Sequence, residues 1–145
     1  MSDLNDQELI NLLRKNDFKA TLQRIAICKY ILKSKDHPTA EKVYFEIKKE
    51  YKTISQATVY KTLALLKSLG LVTELSLYNS HSRFDPNQAI HINIICPNCN
   101  SIVDFESNSI DEFWQIIKSE IGNNIIGQRL DILKECDICL KKKQK

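Results

Sequence analysis

The sequence predicts an α+β chain in two parts, on three observations. Residues 6–69 carry apolar side chains at helical spacing and lead into two short strand-like segments. The charge balance reverses near residue 85. Two C-x-x-C pairs, Cys96/Cys99 and Cys136/Cys139, bracket the last third of the chain.

Asp6 to Asn16 carries Leu9, Leu12 and Leu13 on one helical face. Thr21 is the expected N-cap of a second helix that runs to about Ser34 and buries Ile25, Cys28 and Leu32. Pro38 turns His37 away from helical dihedrals. Thr39 then caps a third helix with Val43, Tyr44 and Ile47 inward. Ser55 caps a fourth helix, which ends at Leu69 because Gly70 follows. Leu71 to Tyr78 reads as a strand, Asn79-Ser80-His81 as a turn and Ser82-Arg83-Phe84 as a returning strand. Helices followed by a β-hairpin are the order of a winged helix-turn-helix, assigned to residues 1–84.

Asp85-Pro86-Asn87-Gln88 opens an expected hinge, 85–92. The remainder, 93–145, is the expected dimerisation and metal-binding domain. Across its boundary with the hinge, Ile90, Ile92 and Ile94 alternate with His91, Asn93 and Ile95 into the first cysteine pair, a strand with an apolar and a mostly polar face. Ser101 to Phe105 is a further strand. Ser109 with Glu112 reads as a capping box before Ile110, Phe113, Trp114, Ile117 and Ile121. Ile125 to Leu133 is the last strand, and Lys141 to Lys145 a solvated, disordered end.

At 145 residues, two cores of roughly 70 residues each are marginal, so a metal or a partner chain is expected to help. Only three glycines occur, Gly70, Gly122 and Gly127. None of the spacings suits a dinucleotide or P-loop phosphate cradle. No apolar run approaches the ~18 residues of a membrane span, and Met1 to Asp6 lacks an apolar signal core, so the expectation is a cytoplasmic protein without a membrane partner. Residues 1–84 carry 14 Lys/Arg against 9 Asp/Glu, whereas residues 85–145 carry 7 against 9. A basic half attracts nucleic acid through counterion release, although a mildly charged soluble surface looks the same by this measure.

In a reducing compartment, paired C-x-x-C knuckles point to metal rather than disulfides. Cys96, Cys99, Cys136 and Cys139 make a four-sulfur shell suited to structural zinc, and the 36 residues between the pairs mean that the ion staples distant segments. An iron–sulfur cluster or a redox dithiol is the alternative. Cys28, in an apolar helix, is a core residue.

From Lys52 to Thr73 there is no acidic residue. Ser55, Gln56, Thr58, Tyr60, Lys61 and Thr62 crowd the first half of the fourth helix, where a recognition helix meets bases and phosphates. Gln and Thr suit base edges, Tyr and Lys phosphates. A solvated helix face explains the same residues equally well. His37, Asp85, His91 and Asp104 are nitrogen and oxygen donors suited to Fe(II), Mn(II) or Zn(II), although isolated His and Asp residues are more often hydrogen-bonded loop groups. His81 falls in the wing turn and reads as an exposed polar residue.

Taken together, Thr21-Leu22-Gln23-Arg24, His37-Pro38-Thr39-Ala40, Ser55-Gln56-Ala57-Thr58-Val59-Tyr60, Ser82-Arg83-Phe84-Asp85, His91, Val103-Asp104-Phe105 and both cysteine knuckles resemble the ferric uptake regulator (Fur) family, and its peroxide-responsive branch most of all. The resemblance covers nearly the whole chain. It implies a homodimeric, metal-dependent repressor of double-stranded operator DNA, with a winged helix followed by an α/β dimerisation domain. It implies structural zinc and a regulatory Fe(II) or Mn(II) held by His37, Asp85, His91 and Asp104; Asn93, standing where the family usually has His, either joins them through its amide oxygen or does not ligate. It also implies peroxide sensing by metal-catalysed oxidation of His37 or His91, a one-shot event and not turnover by an enzyme. The sequence departs from the family at Asn93, where His is usual, and at Lys61. The alternatives are an iron-, manganese- or zinc-responsive uptake regulator of the same family, a zinc-ribbon interaction module and, weakest, a C-x-x-C redox enzyme.

Overall fold

The computed structural model describes residues 4–77 and 81–143. Met1 to Asp3, the expected strand end at Tyr78, the turn residues Asn79 and Ser80, and Gln144-Lys145 lie outside the described residues. The chain divides into two compact units, Met1–Gln88 and Ala89–Lys145.

The first unit holds four helices, α1 (Asp6–Lys15), α2 (Leu22–Leu32), α3 (Ala40–Glu50) and α4 (Gln56–Ser68), then strands β1 (Thr73–Leu75) and β2 (Arg83–Asp85). Each helix begins on a side chain that satisfies an orphan backbone donor. Asn5 and Glu8 form a reciprocal capping box on α1. Thr21, Thr39 and Ser55 accept from the backbone N–H of Arg24, Lys42 and Thr58. Gly70 ends α4 in the left-handed region at φ 67°. There its N–H bonds the Lys67 carbonyl and that of Leu71 reaches Leu66, so two orphan carbonyls are satisfied. Leu9, Leu13, Ile27, Cys28, Ile31, Val43, Val59, Leu63, Leu66 and Phe84 meet in one core. Burial pushes the Cys28 thiol up to about 12, as suits a packing residue.

The hairpin is shorter than its sequence suggests. β1 spans three residues and pairs antiparallel with β2, and Leu71 and Val72 precede it. Val72 is buried in the helical core, so the apolar run reflects packing as much as strand. Asp85, expected at the start of a hinge, belongs to β2 opposite Thr73.

The second unit holds β3 (Ile92–Ile95), β4 (Ile102–Phe105), α5 (Asn108–Ile121), β5 (Leu130–Leu133) and α6 (Asp137–Lys143). The sheet order is β4-β3-β5, with β3 antiparallel to β4 and parallel to β5. Three local expectations fail. The N-cap of α5 is Ser107, with no side-chain cap bond, and Ser109 lies inside the first turn. Strand pairing reaches only Leu130–Leu133 of the segment expected from Ile125. Lys141 to Lys143 are not a disordered end but the last turn of α6, where their charge suits the negative end of the helix dipole.

Burial in β3 also inverts the simple pattern. Asn93 and Ile95 are buried, whereas Ile92 and Ile94 are half-exposed. Val103, Phe105, Phe113, Ile116, Ile121 and Leu133 are likewise exposed. The polar face of the strand is the enclosed one, and the single chain leaves its apolar surface uncovered.

Candidate metal centres and nucleic-acid interface

The first knuckle follows directly from β3. Cys96 N–H bonds the Ser101 carbonyl at 2.9 Å, Asn100 N–H bonds the Cys96 carbonyl at 2.8 Å, and Asn100 turns the chain in the left-handed region at φ 57°. The second knuckle starts α6. All four cysteine sulfurs lie within 4.8 Å of one another. Cys99 Sγ is 3.7 Å from Cys136 Sγ, close to the ~3.8 Å edge of a tetrahedron with Zn–S bonds of ~2.3 Å. The Cys136 backbone N–H donates to Cys96 Sγ at 3.4 Å and, first among its neighbours, lowers that thiol to about 6. Ser101 lowers Cys99, while the neighbouring Cys136 thiol raises Cys139 to about 12. Four thiol groups crowded together cannot all ionise without a cation, and the donor set fits Zn(II). Around them, Asn98 Nδ2 donates to Glu135 Oε1 at 2.8 Å, and Glu135 also takes Lys143, so one carboxylate ties both knuckles and α6.

In the first unit, β2 is laced to the link before α3. Phe84 N–H bonds the Pro38 carbonyl at 3.0 Å, and Thr39 bridges Arg83. This lacing sets His37 Nε2 3.6 Å from Asp85 Oδ1, with both side chains almost fully buried. His37 takes φ 46°, a left-handed conformation uncommon outside glycine, although histidine is among the residues that adopt it more often. Asp85 Oδ1 also accepts from the Asn87 N–H at 2.8 Å.

In the second unit, His91 and Asn93 are two residues apart, and Asn93 pairs across to Asp104 on β4. His91 Nδ1 sits 2.8 Å from the Ala89 carbonyl. A carbonyl only accepts, so Nδ1 carries a proton, and in the neutral ring Nε2 then carries the lone pair. His91 Nε2 is 3.9 Å from Asp104 Oδ1. Asn93 is 2% exposed, and its Oδ1 has no hydrogen-bond partner among the described residues. A buried donor-less oxygen beside imidazole and carboxylate fits a divalent cation. His91, Asn93 and Asp104 thus come together in one unit, and His37 and Asp85 in the other.

On α4, Ser55, Gln56, Tyr60 and Lys61 are exposed and Thr58 is half-buried. The Ser55 and Thr58 hydroxyls lie 2.9 Å apart within the cap. Thr62 leaves the candidate set because it is fully buried and donates to the Thr58 carbonyl at 2.7 Å. The Tyr60 hydroxyl donates to Glu41 of α3 at 2.8 Å. Glu41 also lies 3.7 Å from the exposed His81, at the mouth of a 630 Å³ cavity between α3, α4 and the hairpin. Sequence reasoning missed Glu41. The pairing of α3 with α4 that brings it to Tyr60 leaves no mark in local periodicity.

A helical unit with a hairpin wing, joined to a sheet unit carrying four clustered cysteines, defines a winged-helix protein whose second domain offers a four-sulfur metal site. The model of the ferric uptake regulator family matches residues 15–133, and the chain belongs to that family. It is 38% identical over 133 residues, 92% of this chain and 89% of the other, to the peroxide-responsive repressor PerR of Staphylococcus epidermidis. The crystal structure of the Campylobacter jejuni peroxide stress regulator superimposes with a TM-score of 0.68 at 34% identity, covering 90% of this chain and 98% of that one. The Helicobacter pylori ferric uptake regulator shares the fold, with a TM-score of 0.76 at 23% identity over 97% of both chains.

Proposed function

We propose that the chain is a metal-dependent transcriptional repressor that senses peroxide, works in the cytoplasm as a homodimer on double-stranded operator DNA, and catalyses no turnover. The observation that carries this is a set of buried and half-buried imidazole and oxygen donors. His91, Asn93 and Asp104 enclose a cation-sized demand for charge in one unit, and His37 with Asp85 repeats it in the other. One regulatory Fe(II) or Mn(II) takes ligands from both sets, so the ion shifts the balance of domain arrangements by its differential affinity for one of them. Zinc on Cys96, Cys99, Cys136 and Cys139 is structural. The exposed apolar residues of the second unit, Val103, Phe105, Phe113 and Ile121 among them, are the dimer surface. Ser55, Gln56, Thr58, Tyr60 and Lys61 meet DNA.

His37, Asp85, His91, Asn93 and Asp104 would hold the Fe(II), which would supply the redox chemistry that splits the peroxide O–O bond. By the family resemblance His37 and His91 are the expected targets: in the net change, one peroxide and one imidazole C–H give one oxygenated imidazole and one water, the peroxide being the two-electron oxidant. The modified ring would ligate the cation poorly, and DNA would be released.

The test is DNA binding with Mn(II) or Fe(II), each with and without peroxide, paired with peptide masses. The reading predicts metal-dependent binding that peroxide abolishes only with Fe(II), with about 16 Da added to the His37 or His91 peptide, the mass of one oxygen atom. Binding that survives peroxide with both histidines unmodified points to a metal-uptake regulator. DNA binding with zinc alone rejects both.

A further inference from the structure

Strand register sets three oxygen-bearing side chains in a row across the second sheet: Asp104 on β4, Asn93 on β3 and Asp131 on β5. The row is not symmetric. Asn93 Nδ2 donates to Asp131 Oδ1 at 3.2 Å and to the Leu130 carbonyl at 3.4 Å. Both partners are acceptors, so the amide is oriented, with its nitrogen toward β5 and its oxygen away. Asp131 is itself gripped by Arg129, whose Nε lies 3.0 and 2.8 Å from the two carboxylate oxygens and whose Nη2 lies 2.7 Å from Oδ2. The guanidinium fixes the carboxylate and offsets its charge. Three residues therefore fix an amide whose oxygen, fully enclosed, receives no hydrogen bond from the described residues.

We propose that Asp131, backed by Arg129, is a positioning residue that holds the Asn93 amide oxygen-outward as a hard donor and so tunes the regulatory site toward Mn(II) over Zn(II). The inference rests on the regulatory-metal reading above. Carbonyl and carboxylate oxygens suit Mn(II), whereas imidazole suits zinc, copper, iron and nickel. The same amide turned over would present an N–H₂ group to the cation and repel it. Asp131 opposes that rotation without touching the ion, and its pairing with Arg129 keeps it from competing as a ligand.

The experiment uses the full chain with one zinc per chain verified, and follows Mn(II) uptake by loss of the free-ion paramagnetic resonance signal, then displacement by Zn(II). Removing a residue that orients a ligand typically costs about 10–100-fold in metal affinity. Asp131→Ala is expected to weaken Mn(II) by about tenfold or more and to lower the Mn(II)/Zn(II) affinity ratio, with the cysteine-bound zinc retained. Asn93→Ala is expected to match it, and the double variant to lose no more than Asn93→Ala alone. Asp131→Asn keeps an acceptor for the amide and is expected to bind within a few-fold of wild type; it carries the test if Asp131→Ala loses its zinc. Wild-type Mn(II) affinity in Asp131→Ala, or additive losses in the double variant, overturns the positioning role. A wild-type chain that takes up no second divalent ion overturns the regulatory-metal reading instead.

Discussion

Replacing Cys96 by Ser removes the sulfur that receives the Cys136 N–H and stands at the end of β3. Within residues 89–145, Ile95 and Ile110 are the large aliphatic side chains that the single chain buries. Each contributes about 2–3 kcal/mol when fully buried. A structural zinc site supplies on the order of 10 kcal/mol to the folding of a small domain. On the proposed zinc reading the metal contributes more than these two side chains, and its partial loss is expected to unfold the second unit while the first keeps its sixteen-residue core. Circular dichroism melts should resolve this. Wild type is expected to melt at a temperature that a strong chelator lowers. Cys96→Ser is expected to show only the transition of the helical unit, to carry little zinc and to sediment as a monomer. A zinc-free Cys96→Ser protein that remains a fully folded dimer would refute the argument.

Three further outcomes follow from particular contacts. Lys61→Ala should weaken operator binding and flatten its salt dependence by about one unit; an unchanged slope removes Lys61 from the phosphate interface. Gly70→Ala should lower the urea midpoint by the equivalent of about 1 kcal/mol, because φ 67° is strained for alanine although no atom stands within 4 Å of the added Cβ; an unchanged midpoint contradicts this. The Tyr60 hydroxyl, first, and then the backbone hold Glu41 below its ordinary 4.5. Its stabilising effect is therefore complete above that value and is lost as pH falls through the lower folded value, so Glu41→Gln should flatten the fall in melting temperature between pH 5 and pH 3, and an identical profile would discard the contact.

Local chemistry announced most of the first unit. Thr21, Thr39, Ser55 and Gly70 mark helix ends by side-chain oxygens and backbone freedom that act within four residues. Tertiary terms decided the rest. Ser109 has the right spacing for a cap, but Ser107 takes the position. The four cysteines were legible because C-x-x-C is a local turn. The Asn93 row was only half legible: alternation placed His91 and Asn93 on one face, but nothing short-range indicated that this polar face would be the buried one. Asp131 pairs with Asn93 across 38 positions, beyond any periodicity, although a charge set inside the apolar run Leu130–Leu133 was an available signal.

The topology of the second sheet also dictates an order of assembly. β3 and β4 are joined by a six-residue knuckle and can zip from it, whereas β5 arrives parallel to β3 from far along the chain. Its docking closes a long loop, a slow event with a conformational cost that contacts must offset before they form. β3 runs straight into its cysteine pair and β5 reaches its own after Lys134 and Glu135, and Lys134 N–H bonds the Ile95 carbonyl where the two strands leave the sheet. Clipping those ends together is therefore what delivers Asp131 to Asn93. Under the proposed two-metal reading, closing the sulfur site favours the strand pairing that orients the Asn93 amide, so zinc loading is expected to strengthen uptake of the second ion.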